Sequence, residues 1–320
     1  MKQLIFILFL ISITLTTQAQ PDSTIIKQIQ GLRAQVNYTE ILTLLSQEKN
    51  NDEHDLWLNY QLACYQSLLK NEKEAFKNLY RSIKLGAKGE DILTDSDFEN
   101  LHVLPEWQKI NDTLDEIYLE KNPNISNTVL SVELWHMYIE DQRFRTLGKN
   151  YKKPMLKFGT QEYTAFNDEQ NKLVEARKKR LKQIIKHYGW PGYSMVGKEA
   201  ADAAFYTFQH SRRKYLKKYL PYMEKAAMMG EASKANYAKM YDRLLMYSGK
   251  KQSYGTQLVS SGSLDKAGNY VRGVWQFHPI ADFETVNERR LKMELEPIED
   301  YAKSKNIEYN PNANIKMEKF

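Results

Sequence analysis

Residues 55–86, DLWLNYQLACYQSLLKNEKEAFKNLYRSIKLG, decide the fold class of this chain. In the first half, apolar side chains recur near the 3.6-residue period of an α-helix, from Leu58 through Leu62 to Leu69. A second apolar period follows and stops at Gly86, and glycine is a common residue just past the end of a helix. The stretch therefore predicts a helical hairpin.

This hairpin carries small and apolar residues where two helices would meet. They are Leu62, Ala63, Ala75, Leu79 and Ser82. In this pattern the stretch resembles a tetratricopeptide repeat, whose period is 34 residues. Residues 23–49 resemble a degenerate preceding repeat, and DSDFENL at residues 95–101 resembles a continuation often found after such repeats in exported bacterial proteins. The resemblance implies a helical-repeat module that binds a protein or peptide partner.

The composition limits the class of protein. The chain has 320 residues, is 42% hydrophobic and has a mean hydropathy of −0.64, which excludes a disordered, collagen-like or multi-pass membrane protein. Its length predicts two domains. Its one cysteine, Cys64, excludes a disulfide framework and a cysteine-based zinc cluster, and we expect it to pack in the core.

The charge changes sign along the chain. Residues 22–125 carry 11 Lys and Arg against 18 Asp and Glu, whereas residues 126–320 carry 34 against 22. The change falls near residues 121–126, whose Pro and Asn content is typical of a linker. We therefore predict a repeat domain over 22–120 and a helical domain over 126–310.

The first 19 residues have the pattern of a secretory signal peptide. Lys2 precedes an apolar run over residues 4–15, and Thr17 and Ala19 supply small residues at positions −3 and −1. The run is shorter than a membrane-spanning helix needs. We expect cleavage after Ala19, export to the periplasm or the medium, and no membrane segment in the mature chain.

The basic half is predicted to be mainly helical, with a small β-hairpin near its end. We expect a helix over about 168–188 with Asn167 as its N-cap. Further helices are expected near 197–210, from 214 onward, over 235–247 and around 284–295. Two short β-prone segments, 254–259 and 270–277, have glycines between them and predict the hairpin.

Short polar motifs in the basic half are the candidate functional residues. The candidate catalytic residues are His210, Asp141 and Asp242, and the candidate substrate-binding residues are Arg143, Arg243, Gln142, Gln209, Gln252, Tyr254 and Gln257. In the functional interpretation they line one pocket, in which His210 moves a proton and an arginine holds an anion. In the alternative interpretation they are hydrogen-bonded scaffold, because buried polar groups need partners.

The order of these motifs resembles a bacterial family of unknown function that is often exported. The motifs in this chain are Asp141-Gln142 with Arg143 or Arg145, Gly189-Trp190-Pro191, Gly197, Gln209-His210, Tyr237-Ala238, Asp242-Arg243, Gly249, Gln252 and Tyr254-Gly255-Thr256-Gln257. The resemblance implies one grouped site but no assigned reaction.

Common enzyme and metal motifs are missing from the sequence. It contains no Gly-x-Ser-x-Gly, P-loop or dinucleotide-binding glycine pattern, and its six histidines lack ligand spacing. We therefore expect no metal and no cofactor. The basic, tyrosine-containing stretch 212–219 is predicted to be a solvated helix face and not a nucleic-acid site.

Three functions remain open on the sequence. In the first, the protein binds or scaffolds a protein or peptide partner in the cell envelope. In the second, it is a hydrolase or transferase with His210 as the acid or base and Asp141 or Asp242 orienting it. In the third, its basic helices recognise an anionic envelope polymer, and binding then falls steeply with salt.

Overall fold

The computed structural model describes residues 23–47, 55–150, 160–260, 263–264, 270–271 and 273–307. The protein is mainly helical with a small antiparallel hairpin near its C-terminus, which confirms the predicted fold class. Residues 1–19, the predicted signal peptide, lie outside the described residues. Within the described ranges, no helix combines the length and the apolar character needed to cross a bilayer.

The described residues form two compact units that part between Asp112 and Thr113. Residues 121–126, where the sequence predicts a linker, connect the end of one long helix to the start of the next. The limits of 22–120 and 126–310 stay a prediction.

The first unit is a series of short helices. They are α1 (Ser23–Ala34), α2 (Tyr38–Gln47), α3 (Leu56–Leu68), α4 (Glu72–Lys84), α5 (Gly89–Thr94) and α6 (Pro105–Lys121), the last of which ends beyond the unit. A 3-10 turn, Ser96–Phe98, follows α5.

The hairpin of α3 and α4 forms as the sequence predicts. Asp55 caps α3, since its carboxylate accepts the Leu58 amide hydrogen at 2.9 Å. Ala63, Ala75 and the other small residue at the interface, Ser82, are completely buried, which lets the two helices pack closely. Cys64 is buried too, which agrees with its predicted place in the core.

The second unit contains longer helices. They are α7 (Thr128–Asn150), α8 (Gln161–Tyr188), α9 (Tyr193–Val196), α10 (Lys198–Gln209), α11 (Arg213–Met228), α12 (Lys234–Tyr247), α13 (Val286–Lys292) and α14 (Ile298–Ser304). The prediction for α8 was wrong at its start, because the helix begins at Gln161 and Asn167 lies inside it. The predicted last helix is also shorter, and α14 follows it.

Helices α7 and α10 pack side by side and run in the same direction. Near their starts, the Ser131 hydroxyl donates to the Val196 carbonyl. Farther along, the rings of Tyr138 and Tyr206 lie 5.6 Å apart. The parallel register brings Asp141 and Gln142 of α7 level with the end of α10.

The hairpin has two short antiparallel ladders. Strand β1 (Leu258–Ser260) pairs with β4 (Trp275–Phe277), and β2 (Ser263–Leu264) pairs with β3 (Tyr270–Val271). The base of the hairpin is closed outside the strands by a bridge between Gln252 and Ile280. The hairpin is therefore an excursion whose two ends are held together.

Candidate functional site

Asp242 on α12 is fully buried and is saturated with hydrogen bonds. Its carboxylate accepts the backbone N–H of Ser253 at 2.7 Å, of Tyr254 at 3.1 Å and of Thr256 at 3.0 Å. The Thr256 hydroxyl donates to it at 2.9 Å. Burial raises the pKa of Asp242, and these donors oppose the rise because they stabilise the charged form. The carboxylate thus holds the loop that follows α12.

Gln252 and Gln257 close the same loop from inside. The Gln252 side-chain amide donates to the carbonyls of Gln257 at 3.0 Å and His278 at 2.6 Å, and its oxygen accepts the Gln257 N–H at 2.8 Å. The Gln257 amide in turn donates to the Lys239 carbonyl on α12 at 3.0 Å. Both glutamines are buried, so their polar groups are used within the protein.

The far side of this loop is fixed by Arg290 and by a glycine. Arg290, which is 1% exposed, donates to the Tyr254 carbonyl and the Glu296 carbonyl, both at 2.6 Å. Gly255 has φ +68°, and a Cβ there would lie 2.5 Å from Ile298 Cδ1. A residue with a side chain is disfavoured by both backbone strain and space. We call the residues Asp242, Gln252, Gly255, Thr256, Gln257 and Arg290 the loop network.

His210 and Arg243 form a separate pair at the ends of α10 and α12. Arg243 Nη1 lies 2.8 Å from His210 Nδ1. Because a guanidinium only donates, Nδ1 must accept, and the ring is then neutral with its proton on Nε2. His210 is exposed, whereas its predicted neighbour Gln209 is half-buried. The ring in this state is a hydrogen-bond donor through Nε2.

Asp141 and Gln142 lie near the end of the described side chains of α7. Gln142 Nε2 donates to Asp141 Oδ2 at 3.3 Å, and Asp141 Oδ1 lies 3.6 Å from Nη1 of the buried Arg177 on α8. Their neighbour Arg143 is half-buried. The parallel register of α7 and α10 puts this segment level with His210, one helical turn beyond the Tyr138 and Tyr206 rings.

The structure thus sorts the predicted site residues into two groups. Asp242, Gln252 and Gln257 belong to the loop network, which fits the scaffold interpretation, and Tyr254 contributes its backbone to that network. In the second group, His210 contacts Arg243, and Asp141 and Gln142 lie level with the end of α10.

A family model described as "Family of unknown function (DUF6624)" matches residues 143–312, more than half of the chain. The chain belongs to the DUF6624 family. This confirms the prediction that the C-terminal region belongs to a family of unknown function. No curated protein and no solved structure matches the chain. The DUF6624 match includes the loop network and the pair of His210 with Arg243, while Asp141 and Gln142 precede it.

Sequence reasoning missed three charged residues of the DUF6624 region. Arg177 and Arg290 are buried, and their carbonyl and carboxylate partners come from distant segments, so local patterns do not reveal them. Asp202 gave a usable signal, because it is the single acid in the alanine-rich sequence Ala200-Ala201-Asp202-Ala203-Ala204 of α10. An acid on an otherwise apolar helix face requires a partner or a role.

In the first unit, Cys64, Asp95 and Asp97 bring one ligand atom each within 4.8 Å of one another. Their chemistry does not suit a metal ion. Both oxygens of Asp97 accept from Arg33, at 2.7 and 2.8 Å, and burial raises the pKa of the Cys64 thiol, so the thiolate that binds metals is disfavoured. The group is a hydrogen-bonded cluster.

The basic stretch of α11 contacts lysines of α8 through Tyr215. The ammonium groups of Lys178, Lys182 and Lys214 lie 5.9, 4.5 and 5.1 Å from the centre of the Tyr215 ring. The Tyr215 ring is half-buried and lies within cation–π distance of all three. The hypothesis of an anionic envelope polymer as ligand predicts that the polymer binds at this cationic patch.

Proposed function

We propose that this protein is exported and binds a protein or peptide partner through a tetratricopeptide-like N-terminal unit. The observation that carries the proposal is a repeat in the helix positions. The first helices of three successive hairpins, α1, α3 and α5, begin at residues 23, 56 and 89, and the second helices, α2, α4 and α6, begin at 38, 72 and 105. A spacing of 33–34 residues is the period of such repeats.

Side-chain contacts between successive hairpins support the same proposal. Arg33 of α1 contacts Tyr65 of α3 and Asp97 in the 3-10 turn after α5, which are 32 and 64 residues away in the sequence. The Arg33 guanidinium bonds Asp97 through two nitrogens, lies 5.7 Å from the centre of the Tyr65 ring and donates to the Tyr65 hydroxyl at 3.4 Å. Contacts between successive hairpins are what a stack of repeats predicts.

The partner is expected on the face made by the first helices of the hairpins. In stacked helical repeats, a continuous surface from successive units forms the binding surface. The acidic balance of residues 22–125 favours a partner segment that is basic. Trp57 on α3 is half-buried against the α1–α2 core and offers an aromatic anchor.

Site-specific photo-crosslinking tests this proposal in cells. With the crosslinking residue at position 57, we expect one discrete cross-linked product. With it at Val103, an 84% exposed residue outside the hairpins' helices, we expect none. Equal patterns at both positions, or no product at position 57, would contradict the proposal.

Export is tested separately by mass spectrometry of the mature chain from the envelope fraction. We expect an N-terminus at Gln20, after removal of residues 1–19. A full-length chain in the cytoplasm would contradict export without affecting partner binding.

A second candidate function is a hydrolase or transferase centred on His210. The contact of 2.8 Å with Arg243 favours it, because that contact fixes the tautomer and places the ring proton on Nε2. On a substrate found by screening, His210→Ala should then abolish turnover while the folded fraction stays unchanged. Unaltered turnover would exclude this role for His210.

A further inference from the structure

Two neighbouring clefts in the DUF6624 region lie away from the loop network and the His210–Arg243 pair. The first has a volume of about 500 Å³ and is lined by residues that include Tyr193, Lys198 and Asp202. The second, of about 470 Å³, is lined by residues that include Tyr188, Trp190 and Tyr222. Both volumes lie within the usual range of small-ligand sites. We call them the polar cleft and the aromatic cleft.

The polar cleft contains three groups whose hydrogen-bonding capacity is not filled by the residues that the structure describes. Asp202 Oδ1 accepts from the Asn236 side chain at 3.0 Å, but Oδ2 has no donor among the residues that the structure describes. The Tyr193 hydroxyl has no hydrogen bond and the Lys198 ammonium has no ion pair within the same ranges. An acceptor, a donor and a group that does both therefore line one cleft.

Asp202 is held in place from behind. Asn236, which orients its carboxyl, accepts in turn from the Lys239 ammonium at 3.2 Å. Burial raises the pKa of Asp202 and lowers the pKa of Lys239, so both groups gain from added hydrogen bonds to their charged forms. Burial and the nearby Asp202 raise the pKa of Tyr193 to about 12, which keeps its hydroxyl protonated.

The polar cleft has little net charge to attract an ion. Lys234, also in its wall, is paired with Glu294 at 2.9 Å. The remaining charges, Lys198 and Asp202, are of opposite sign. A neutral ligand with several hydroxyls fits this pattern, because each hydroxyl donates to a carboxylate and accepts from an ammonium or a phenol.

The aromatic cleft adjoins the polar cleft and supplies flat apolar surface. Tyr188 and Tyr222 are 46% and 45% exposed, and Met229, which lines both clefts, is 68% exposed. The wall between the clefts is tied by Glu231, whose carboxylate accepts the Ser194 N–H at 2.9 Å. Exposed aromatic rings beside directional polar groups are typical of a binding site.

We propose that the two clefts together bind a neutral oligosaccharide. One sugar ring occupies the polar cleft, where its hydroxyls bond Asp202, Tyr193 and Lys198. The next ring lies in the aromatic cleft, where its C–H face packs on Tyr222 and Met229. This site is independent of the partner proposed for the N-terminal unit.

Calorimetric titration of the mature chain with chitotriose, cellotriose and maltotriose tests the proposal. We expect at least one of these neutral trisaccharides to bind with a dissociation constant on the order of 0.1–1 mM. Asp202→Asn, which replaces an acceptor oxygen with an NH₂ donor, should weaken that binding about tenfold or more. Asp300→Asn, an exposed acid on α14, is the matched control and should leave it unchanged.

The aromatic cleft is tested by a pair of variants at one position. Tyr222→Phe keeps the ring and should bind as the wild type does, while Tyr222→Ala should weaken binding about tenfold. Thermal unfolding of each variant separates loss of binding from loss of fold.

Three results would overturn the proposal. The first is no binding of any of the three trisaccharides to the wild-type chain. The second is binding that neither Asp202→Asn nor Tyr222→Ala weakens, since the sugar then lies elsewhere. The third is binding of the cationic glucosamine trimer without binding of chitotriose, since the carboxyl then recognises an ammonium.

Discussion

Asp242 and Asp202 are acidic residues on two helices of the same unit, and burial raises the pKa of both, yet their surroundings differ. Asp242 accepts from three backbone N–H groups and one hydroxyl. Asp202 accepts from one amide and faces a cleft. A carboxylate saturated by its own chain maintains the fold, whereas one with an open oxygen is suited to a ligand.

The largest effect that separates the two residues is expected from Asp242→Ala. Four donors lose their acceptor inside the protein, so we expect the free energy of unfolding to fall by about 3–5 kcal/mol. Urea denaturation measures it. Asp300→Ala, on the surface, should change it by less than about 0.5 kcal/mol. A small loss in both variants would show that Asp242 does not stabilise the fold.

Gly255→Ala tests whether the loop network depends on close packing. We expect a loss of about 2–3 kcal/mol in the free energy of unfolding, from left-handed backbone strain and the 2.5 Å approach to Ile298. Gly249 has nearly the same φ, +66°, with open space around it, so Gly249→Ala isolates the strain and should cost about 1 kcal/mol. Equal losses would show that packing against Ile298 contributes nothing.

Thr256→Val removes the side-chain hydrogen bonds of one residue of the loop network. The hydroxyl donates to Asp242 at 2.9 Å and accepts from Gln257 Nε2 at 3.0 Å, so we expect its removal to lower the free energy of unfolding by about 1–2 kcal/mol. Thr256→Ser keeps the hydroxyl and should recover most of that loss. Chemical denaturation measures the free energy of unfolding of both variants. A serine variant as destabilised as the valine variant would contradict the stabilising role of the hydroxyl.

Asp202→Asn is expected to give the smallest change in stability, and one that depends on pH. Since burial raises the pKa of Asp202 above its ordinary 3.8, ionisation disfavours the folded state. The contribution of Asp202 to the stability of the wild type is therefore fully present at low pH. It declines as the pH rises past 3.8 toward the raised pKa of the folded state. The asparagine variant lacks this decline, so its stability relative to wild type should increase over that window. Unfolding titrations at a series of pH values test the sign.

The sequence predicts periodic and local features well. Apolar spacing located the α3–α4 hairpin within a residue at each end, and glycine and β-prone residues located the β-hairpin. The start of α8 was misplaced because Asn167 is a good cap in isolation, although the helix already begins at Gln161, nearly two turns earlier.

The role of the polar motifs was harder to predict. Asp242, Gln252 and Gln257 stand out in the sequence, but their partners are mostly backbone groups, which a sequence pattern does not display. Asp202 is the single acid in an alanine-rich stretch. The cleft that it lines is built by segments that are far apart in the sequence, so a local pattern does not show it. The conspicuous polar motifs of the sequence therefore located the residues of the loop network more clearly than they located Asp202.

The closed base of the β-hairpin has a consequence for how this domain can vary. Gln252 is bridged to Ile280, its N–H donates to the Pro279 carbonyl, and its carbonyl accepts the Ala281 N–H. Between these points, residues 253–257 belong to the loop network, and β1 pairs with β4 beyond them. Because the entropy of closing a loop grows slowly with its length, a change in the length of the chain between β1 and β4 disturbs the loop network little. The hairpin is thus the position where this domain can accept an inserted peptide tag or a second domain.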